Sequence, residues 1–330
     1  MRLALHLPGE PGERWTLARQ IGVTDLVSQA PLGADGTPAA DREALNRLCD
    51  QAADAGLRLS VVEGPTPMED VRLGRPGRDG EVERFCRMIE NLAAAGVEAV
   101  CYNFMAVFGW QRTDMAVQVR GGALSSAYDH ERMERRGAAS VEGMPPGPDG
   151  LVIGEEQLWE HFAWFSERVV PVAESHGIKL ALHPDDPPLS PIRGVGRIMR
   201  SVENMERAIE LVPSPCNGLT FCQGNFTAMG ADLPAAIRRF GEKRKIFFVH
   251  FRDVSGSASR FVETFHDDGP TDMVAALRAY REVGFDGPVR PDHVPTMAGE
   301  PNDQPGYMMK GRLFAIGYLR GLLDALDAAG

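Results

Sequence analysis

The chain is predicted to fold as a (β/α)8 barrel, one domain spanning residues 1–330. Two observations carry the prediction. Short apolar runs rich in β-branched residues alternate with longer segments of helical period, the pattern of a parallel sheet covered by helices. That alternation recurs eight times within 330 residues, and closed α/β barrels commonly occupy ~250 residues or more as a single unit. A third observation is negative. No GxGxxG, GxxxxGK[ST] or GxSxG follows any of the runs, which leaves dinucleotide and nucleoside-triphosphate binding without support.

Taken in order, the first strand is RLALHL at 2–7, closed by Pro8, with a helix at 15–21. A strand at 24–28 leads to a helix at 42–55, which Gly56 ends, and a strand at 58–63 leads to a helix at 80–95, which Gly96 ends. The fourth strand, 99–104, is followed by a long polar segment, 111–150, that finishes in MPPGPDG. It reads as too irregular for a strand and too long for a connector, hence a lid or a surface insertion. A helix at 155–176 stops at Gly177 before the fifth strand, 179–183. Helices at 201–212 and 233–240 flank the sixth strand, 218–222, and the seventh is 245–251. A helix at 272–283 stops at Gly284 before the eighth strand, 287–291, and the last helix is 309–328. The four glycines stand where left-handed C-caps are expected and mark one rim of the barrel. The connections on the opposite rim, where barrels place their chemistry, vary more in length.

With 35 Lys+Arg against 46 Asp+Glu the chain carries a formal charge of −11 and no basic block. Nucleic acid and anionic membranes need clustered positive charge, so neither is an expected partner. Five cysteines without CxxC spacing read as a reducing compartment. The N-terminal apolar run is broken by His6 and Pro8, and no uncharged stretch is long enough to cross a bilayer. The expected location is cytoplasmic.

Four consecutive strands end on residues able to bind a metal: His183 in LALHPDDPP, Cys222 in LTFCQGNF, His250 in FFVHFRDV and Asp292 in VRPDHVP. A lone His or Cys at a strand end is more often packed than ligating. Four in succession, all brought to one barrel mouth, read as a divalent-metal site with room for substrate. Imidazole and carboxylate suit Mn²⁺, Fe²⁺, Co²⁺ or Zn²⁺, and the thiolate leans towards the softer ions. Arg252 and Arg290 each stand two residues from a ligand and point the same way in an extended strand. Either fits a substrate carboxylate held in bidentate fashion, or a salt bridge to a neighbour such as Asp185, Asp186 or Asp253. His293 and Tyr307 have the chemistry of an acid and a base, with packing as the simpler reading for Tyr307 and His266 a weaker candidate.

These residues lie in motifs that resemble the mannonate dehydratases: HPDDPP with GVGRIM beyond it, FCQGNF, HFRDV, RPDH and GYMMKGRLFAIGYLRGL, preceded by CYNFM and WQRTDM. The resemblance runs from the first strand to the last helix. It implies a barrel of the xylose-isomerase-like kind, a Mn²⁺ or Fe²⁺ requirement, and dehydration of D-mannonate to 2-keto-3-deoxy-D-gluconate. By motif it implies His183, Cys222, His250 and Asp292 as metal ligands and His293 with Tyr307 as the acid/base pair, the two roles undivided. Arg252 and Arg290 would offset the charge of a small anionic sugar acid. Two rival readings share the barrel: a divalent-metal sugar isomerase or epimerase, which typically uses several carboxylates, and a non-catalytic sugar-acid binding protein. Apolar positions of the last helix, including Leu313, Ile316 and Leu319, fit either the barrel's own face or a homo-oligomer interface.

Overall fold

The computed structural model describes residues 1–34, 36–64, 67–135 and 151–328. It contains twelve strands: β1 Arg2–His6, β2 Asp25–Ser28, β3 Arg58–Glu63, β4 Ala99–Tyr102, β5 Asp114–Gln118, β6 Leu124–Asp129, β7 Lys179–Leu182, β8 Asn217–Cys222, β9 Ile246–Phe251, β10 Val254–Ser257, β11 Arg260–Glu263 and β12 Pro288–Pro291. Eight of them close a barrel in the order β1-β12-β9-β8-β7-β4-β3-β2, parallel throughout. Each of the eight predicted runs supplies one of these strands.

Strand alternation divides the apolar residues between two cores. Ala4, Val27, Val61, Ala99, Cys101 and Ala181 form an inner cluster with Phe247 and Phe248. Their small side chains leave the space that the two phenylalanines fill. The larger cluster lies between the strands and the helices and includes Leu5, Leu26, Val62, Val100, Phe85 and Phe165. Ile316 and Leu319 of the last helix are fully buried in it. Aspartate or serine caps open several helices: Asp41, Ser201, Asp232 and Asp272 each accept a hydrogen bond from the backbone N–H three residues on, satisfying a donor the helix cannot use internally. At the other ends Gly56, Gly96, Gly177 and Gly284 have φ of 72°, 80°, 68° and 69°, the left-handed geometry expected of them. Among the described residues no helix is long and apolar enough to cross a membrane.

Gly218 in β8 is required by close approach. A Cβ there would lie 2.5 Å from both the Lys245 carbonyl oxygen and the Phe247 ring. Backbone cannot yield as a flexible side chain would, so Gly218→Ala is expected to cost about 1–3 kcal/mol. A lower urea midpoint at unchanged slope would show it.

The segment after β4 corrects the expectation of an irregular connection. It holds β5 and β6, which pair antiparallel and join the β10–β11 hairpin in a four-stranded sheet of order β10-β11-β6-β5. The strands are concealed because they lack a regular apolar alternation: in LSSAYD two serines stand side by side and both are buried. The partner strand, β11, is more than a hundred residues away in the chain. Tyr128 stacks on Phe261 across the pairing at 5.9 Å. The remainder of the expected lid, 136–150, lies outside the described residues.

Candidate metal and acid/base site

The barrel register brings the C-terminal ends of β7, β8, β9 and β12 side by side, with Cys222 paired to His250 and Arg290 paired to His250 on its other flank. His183, one residue past β7, places Nε2 3.2 Å from His250 Nδ1. The ligand atoms of His183, Cys222 and His250 all fall within 4.8 Å of one another. Asp292 Oδ2 lies 3.6 Å from His250 Nδ1 and 4.0 Å from Cys222 Sγ. The structure thus brings together all four of the donors expected from the strand ends.

The tautomers favour a cation. His183 Nδ1 is 2.7 Å from the Pro184 carbonyl oxygen, which can only accept, so Nδ1 carries the proton and Nε2 turns a lone pair towards the cluster. His250 Nε2 is buried without a hydrogen bond, 3.3 Å from a Glu63 oxygen. Once His250 Nδ1 gives up the proton it can share with His183 Nε2 at 3.2 Å, two imidazole lone pairs converge there beside a thiol and a carboxylate. A divalent ion relieves that arrangement, and two imidazoles, one sulfur and one carboxylate are a donor set that such ions accept. Burial pushes the Cys222 thiol up, but Arg252, 3.4 Å away, and the two imidazoles bring it down to about 6, so the thiolate that binds metal is available at neutral pH. Burial and Arg290 disfavour a charged His250, yet Glu63 and Asp292 outweigh them and draw a proton onto the ring.

Glu63, Cys101 and His250 form a second cluster of possible donors. Both oxygens of Glu63 are engaged by Arg290, at 2.7 and 3.0 Å, and burial keeps the Cys101 thiol up. Arg290 also donates to Asp292 at 2.9 Å. The chain Glu63–Arg290–Asp292 therefore fixes the orientation of Asp292 and sets Glu63 3.3 Å from His250 Nε2, the outer support that metal-binding histidines and carboxylates generally need.

Above the cluster a cavity of about 620 Å³ opens, lined by His6, Arg14, Glu63, Trp110, His183, His250, Arg290, Asp292, His293, Tyr307 and Arg312 among others. His293 and Tyr307 both line it and pack edge to face, with ring centroids 5.4 Å apart at 82°. His293 Nδ1 lies 2.9 Å from Glu263 Oε1. Arg112 Nη2, which can only donate, lies 3.2 Å from the same nitrogen; the shorter contact is to the carboxylate, which when ionised can only accept, and with Nδ1 donating to it Nε2 keeps a free lone pair. Trp110 packs against the imidazole at 5.0 Å. Burial pushes the Tyr307 phenol up, and Asp292 adds to the shift, so Tyr307 keeps its proton.

Arg252 and Arg290, expected near the substrate, are engaged by carboxylates of the chain, the alternative that spacing left open. Arg252 binds Glu263 through two nitrogens at 2.7 and 2.8 Å and Asp186 at 2.9 Å. It does not line the cavity, whereas Arg290 does. Arg112 completes the network by pairing with Asp186 at 2.7 and 3.0 Å and with Glu263. His266 stacks on Phe251 and sits 2.6 Å from the Phe251 carbonyl oxygen; burial lowers it to about 4, and its role is packing. Sequence reasoning missed Glu63, Glu263, Arg14 and Arg312. Glu63 ends β3 as the four ligands end or follow theirs, so the same signal would have found it.

A model of the D-mannonate dehydratase (UxuA) family matches residues 14–145 and 151–330. The mannonate dehydratase of Thermotoga maritima is 36% identical over 99% of this chain and 98% of its own length. Mannonate dehydratase 2 of Halalkalibacterium halodurans is 38% identical over 83% of this chain and 84% of its own. The crystal structure of mannonate dehydratase from Streptococcus suis serotype 2 superposes with a TM-score of 0.89 at 30% identity, covering 100% of this chain and 96% of that one. An L-ribulose 3-epimerase structure, at 15% identity and a TM-score of 0.62 over 99% and 96% of the two chains, shares the fold alone. A family match along nearly the whole chain, joined to relatives of more than a third identity over almost equal lengths, settles its affiliation: this chain belongs to the D-mannonate dehydratase family.

Proposed function

We infer that the chain is a mannonate dehydratase, a hydro-lyase that converts D-mannonate to 2-keto-3-deoxy-D-gluconate and water. The observation that carries the reading is the placement of a proton-bearing phenol beside a carboxylate-anchored imidazole on the lining of one cavity, next to four convergent candidate metal donors. His183, Cys222, His250 and Asp292 would hold a divalent cation. When bound, such an ion supplies Lewis-acid stabilisation of the negative charge that gathers on the carboxylate side of C2.

The side chains divide the proton traffic. His293 Nε2, its other nitrogen committed to Glu263, takes the proton from C2. Those electrons move first onto the carboxylate group and then form the C2–C3 double bond as the C3–O bond breaks, Tyr307 giving its proton to the departing hydroxyl and releasing water. The enol left at C2 gains a proton at C3 and loses its hydroxyl proton to become the 2-keto acid. Trp110 against His293 keeps solvent from one face of the base.

An epimerase reading draws on the shared barrel, but only Asp292 among the four donors is a carboxylate. Product mass separates the two, since epimerisation conserves it. Metal-stripped protein supplied with Mn²⁺, Fe²⁺, Co²⁺ or Zn²⁺ is expected to form a 2-keto-3-deoxy acid from D-mannonate and none without metal. No such product with any of the four ions would overturn the reading. Cation affinity, followed by calorimetry, is expected to fall as pH drops, first through the raised value of His250 and more steeply below the Cys222 thiol's value of about 6, because both groups must release protons to bind.

A further inference from the structure

Five arginines are buried: Arg112, Arg197, Arg252, Arg290 and Arg312. The first four each lie within 3.5 Å of a carboxylate. Arg312 has no carboxylate partner among the described residues, although it is only 3% exposed. Its Nη1 donates to the His6 carbonyl oxygen at 2.6 Å, and its guanidinium carbon lies 5.0 Å from the Tyr307 ring centroid. Burial lowers its pKa to about 10, and the neighbouring Arg290 and Arg14 press the same way. Arg14 lines the same cavity, also without a carboxylate, and donates to Gln304 Oε1 at 3.0 Å. An uncompensated buried charge is costly, and folded chains keep one only where something else neutralises it. Here the open side of both guanidiniums is the cavity. Tyr307 stands between His293, at 5.4 Å, and Arg312, at 5.0 Å, so the unpaired charge lies one ring beyond the proposed base.

We propose that Arg312, assisted by Arg14, is the anion-recognition subsite of this cavity and selects sugar acids over neutral sugars by binding their carboxylate. The proposal rests on the dehydratase reading for the identity of the acid, and it reassigns to Arg312 and Arg14 the role expected for Arg252 and Arg290. A planar guanidinium suits a carboxylate geometrically, and a charge-assisted bond in an enclosed site is among the stronger polar contacts.

The test measures binding separately from turnover. D-mannonate and the neutral hexitol D-mannitol are titrated calorimetrically into wild type, Arg312→Gln, Arg312→Lys and Arg14→Gln, each with Mn²⁺ and after chelation. Arg312→Gln is expected to weaken D-mannonate binding by about tenfold or more, the loss of one charge-assisted hydrogen bond. D-mannitol binding should stay unchanged, Arg312→Lys should restore part of the loss, and the preference for the acid should survive chelation in wild type and disappear in Arg312→Gln. In turnover the change should fall on KM more than kcat. Because Arg312 also holds the His6 backbone, Arg14→Gln serves as the second variant, with a smaller loss of the same kind. Wild-type affinity for D-mannonate in folded Arg312→Gln, or in Arg14→Gln should Arg312→Gln not fold, overturns the proposal. Tight hexonate binding without water loss in wild type would instead sink the dehydratase reading and leave the subsite standing.

Discussion

His293→Asn is expected to lower turnover of D-mannonate by about 10²–10⁴-fold, the usual contribution of a positioned general base, while cation binding persists. Asparagine keeps a side-chain amide that can reach Glu263 but has no basic nitrogen to offer the cavity. Tyr307→Phe removes only the phenolic oxygen and is expected to cause a loss of the same order. The two variants should differ in a second readout. In deuterated water, Tyr307→Phe retains the base and is expected to exchange the C2 hydrogen of D-mannonate without releasing water, whereas His293→Asn should do neither. Near-normal turnover in both variants with metal bound would show that the proton carriers lie elsewhere. Exchange in His293→Asn but not in Tyr307→Phe would reverse the two roles.

The second large effect concerns stability. Glu263 is contacted by Arg112, Arg252 and His293, all of them buried. Within this group two guanidiniums are balanced by Glu263 and Asp186. Burial pushes the Glu263 carboxyl up, and Arg252, Arg112 and His293 more than reverse it, holding it well below its ordinary range. Glu263→Ala leaves two buried guanidiniums sharing Asp186, with Asp292 3.5 Å from Arg252 as the only further carboxylate paired with either among the described residues, and is expected to cost about 3–5 kcal/mol in urea unfolding. A depressed carboxyl pKa contributes stability that is complete above the unfolded-state value and disappears as pH falls towards the folded one. Wild type should therefore lose stability on acidification below the ordinary carboxylate range, and Glu263→Ala should lose less over the same interval. A change smaller than about 0.5 kcal/mol, typical of a surface site, would mean that the network is not what holds these charges. Turnover should also fall in Glu263→Gln, because a neutral amide anchors the imidazole Nδ1–H more weakly than a carboxylate.

The barrel strands and the four donors were readable because each is a local pattern. LALH, LTFC, FFVH and VRPD announce a buried strand and the residue at or just past its end, and parallel order then delivers those ends to one mouth. The network around Glu263 was not readable by that logic. Glu263 and Arg112 are about 150 positions apart and meet only because β11 pairs with β6, in strands whose alternation is half polar. The arginines show a related limit. Arg252 and Arg290 stand beside ligands in the sequence, but the same crowding supplies carboxylates that occupy them. Arg312 lies in the stretch GYMMKGRLFAIGYLRGL, where the resemblance singled out Tyr307 and nothing in the pattern singled out the arginine five residues on. Its distinction is the lack of a partner, and that is a property of the folded chain alone.

The small antiparallel sheet has a consequence for how such a protein can change. The proposed donors to the cation belong to the barrel wall, whereas the carboxylate bonded to His293 sits at the end of β11 and its companion Arg112 just before β5. Cation capture and proton steering are thus carried by separate pieces of chain. Remodelling the β5–β6 and β10–β11 hairpins could re-aim the imidazole, or free it, with the ion's cradle left whole. A lineage of such barrels can accordingly vary its reaction by editing two hairpins, and the wall that took the most precise register to build need not be rebuilt.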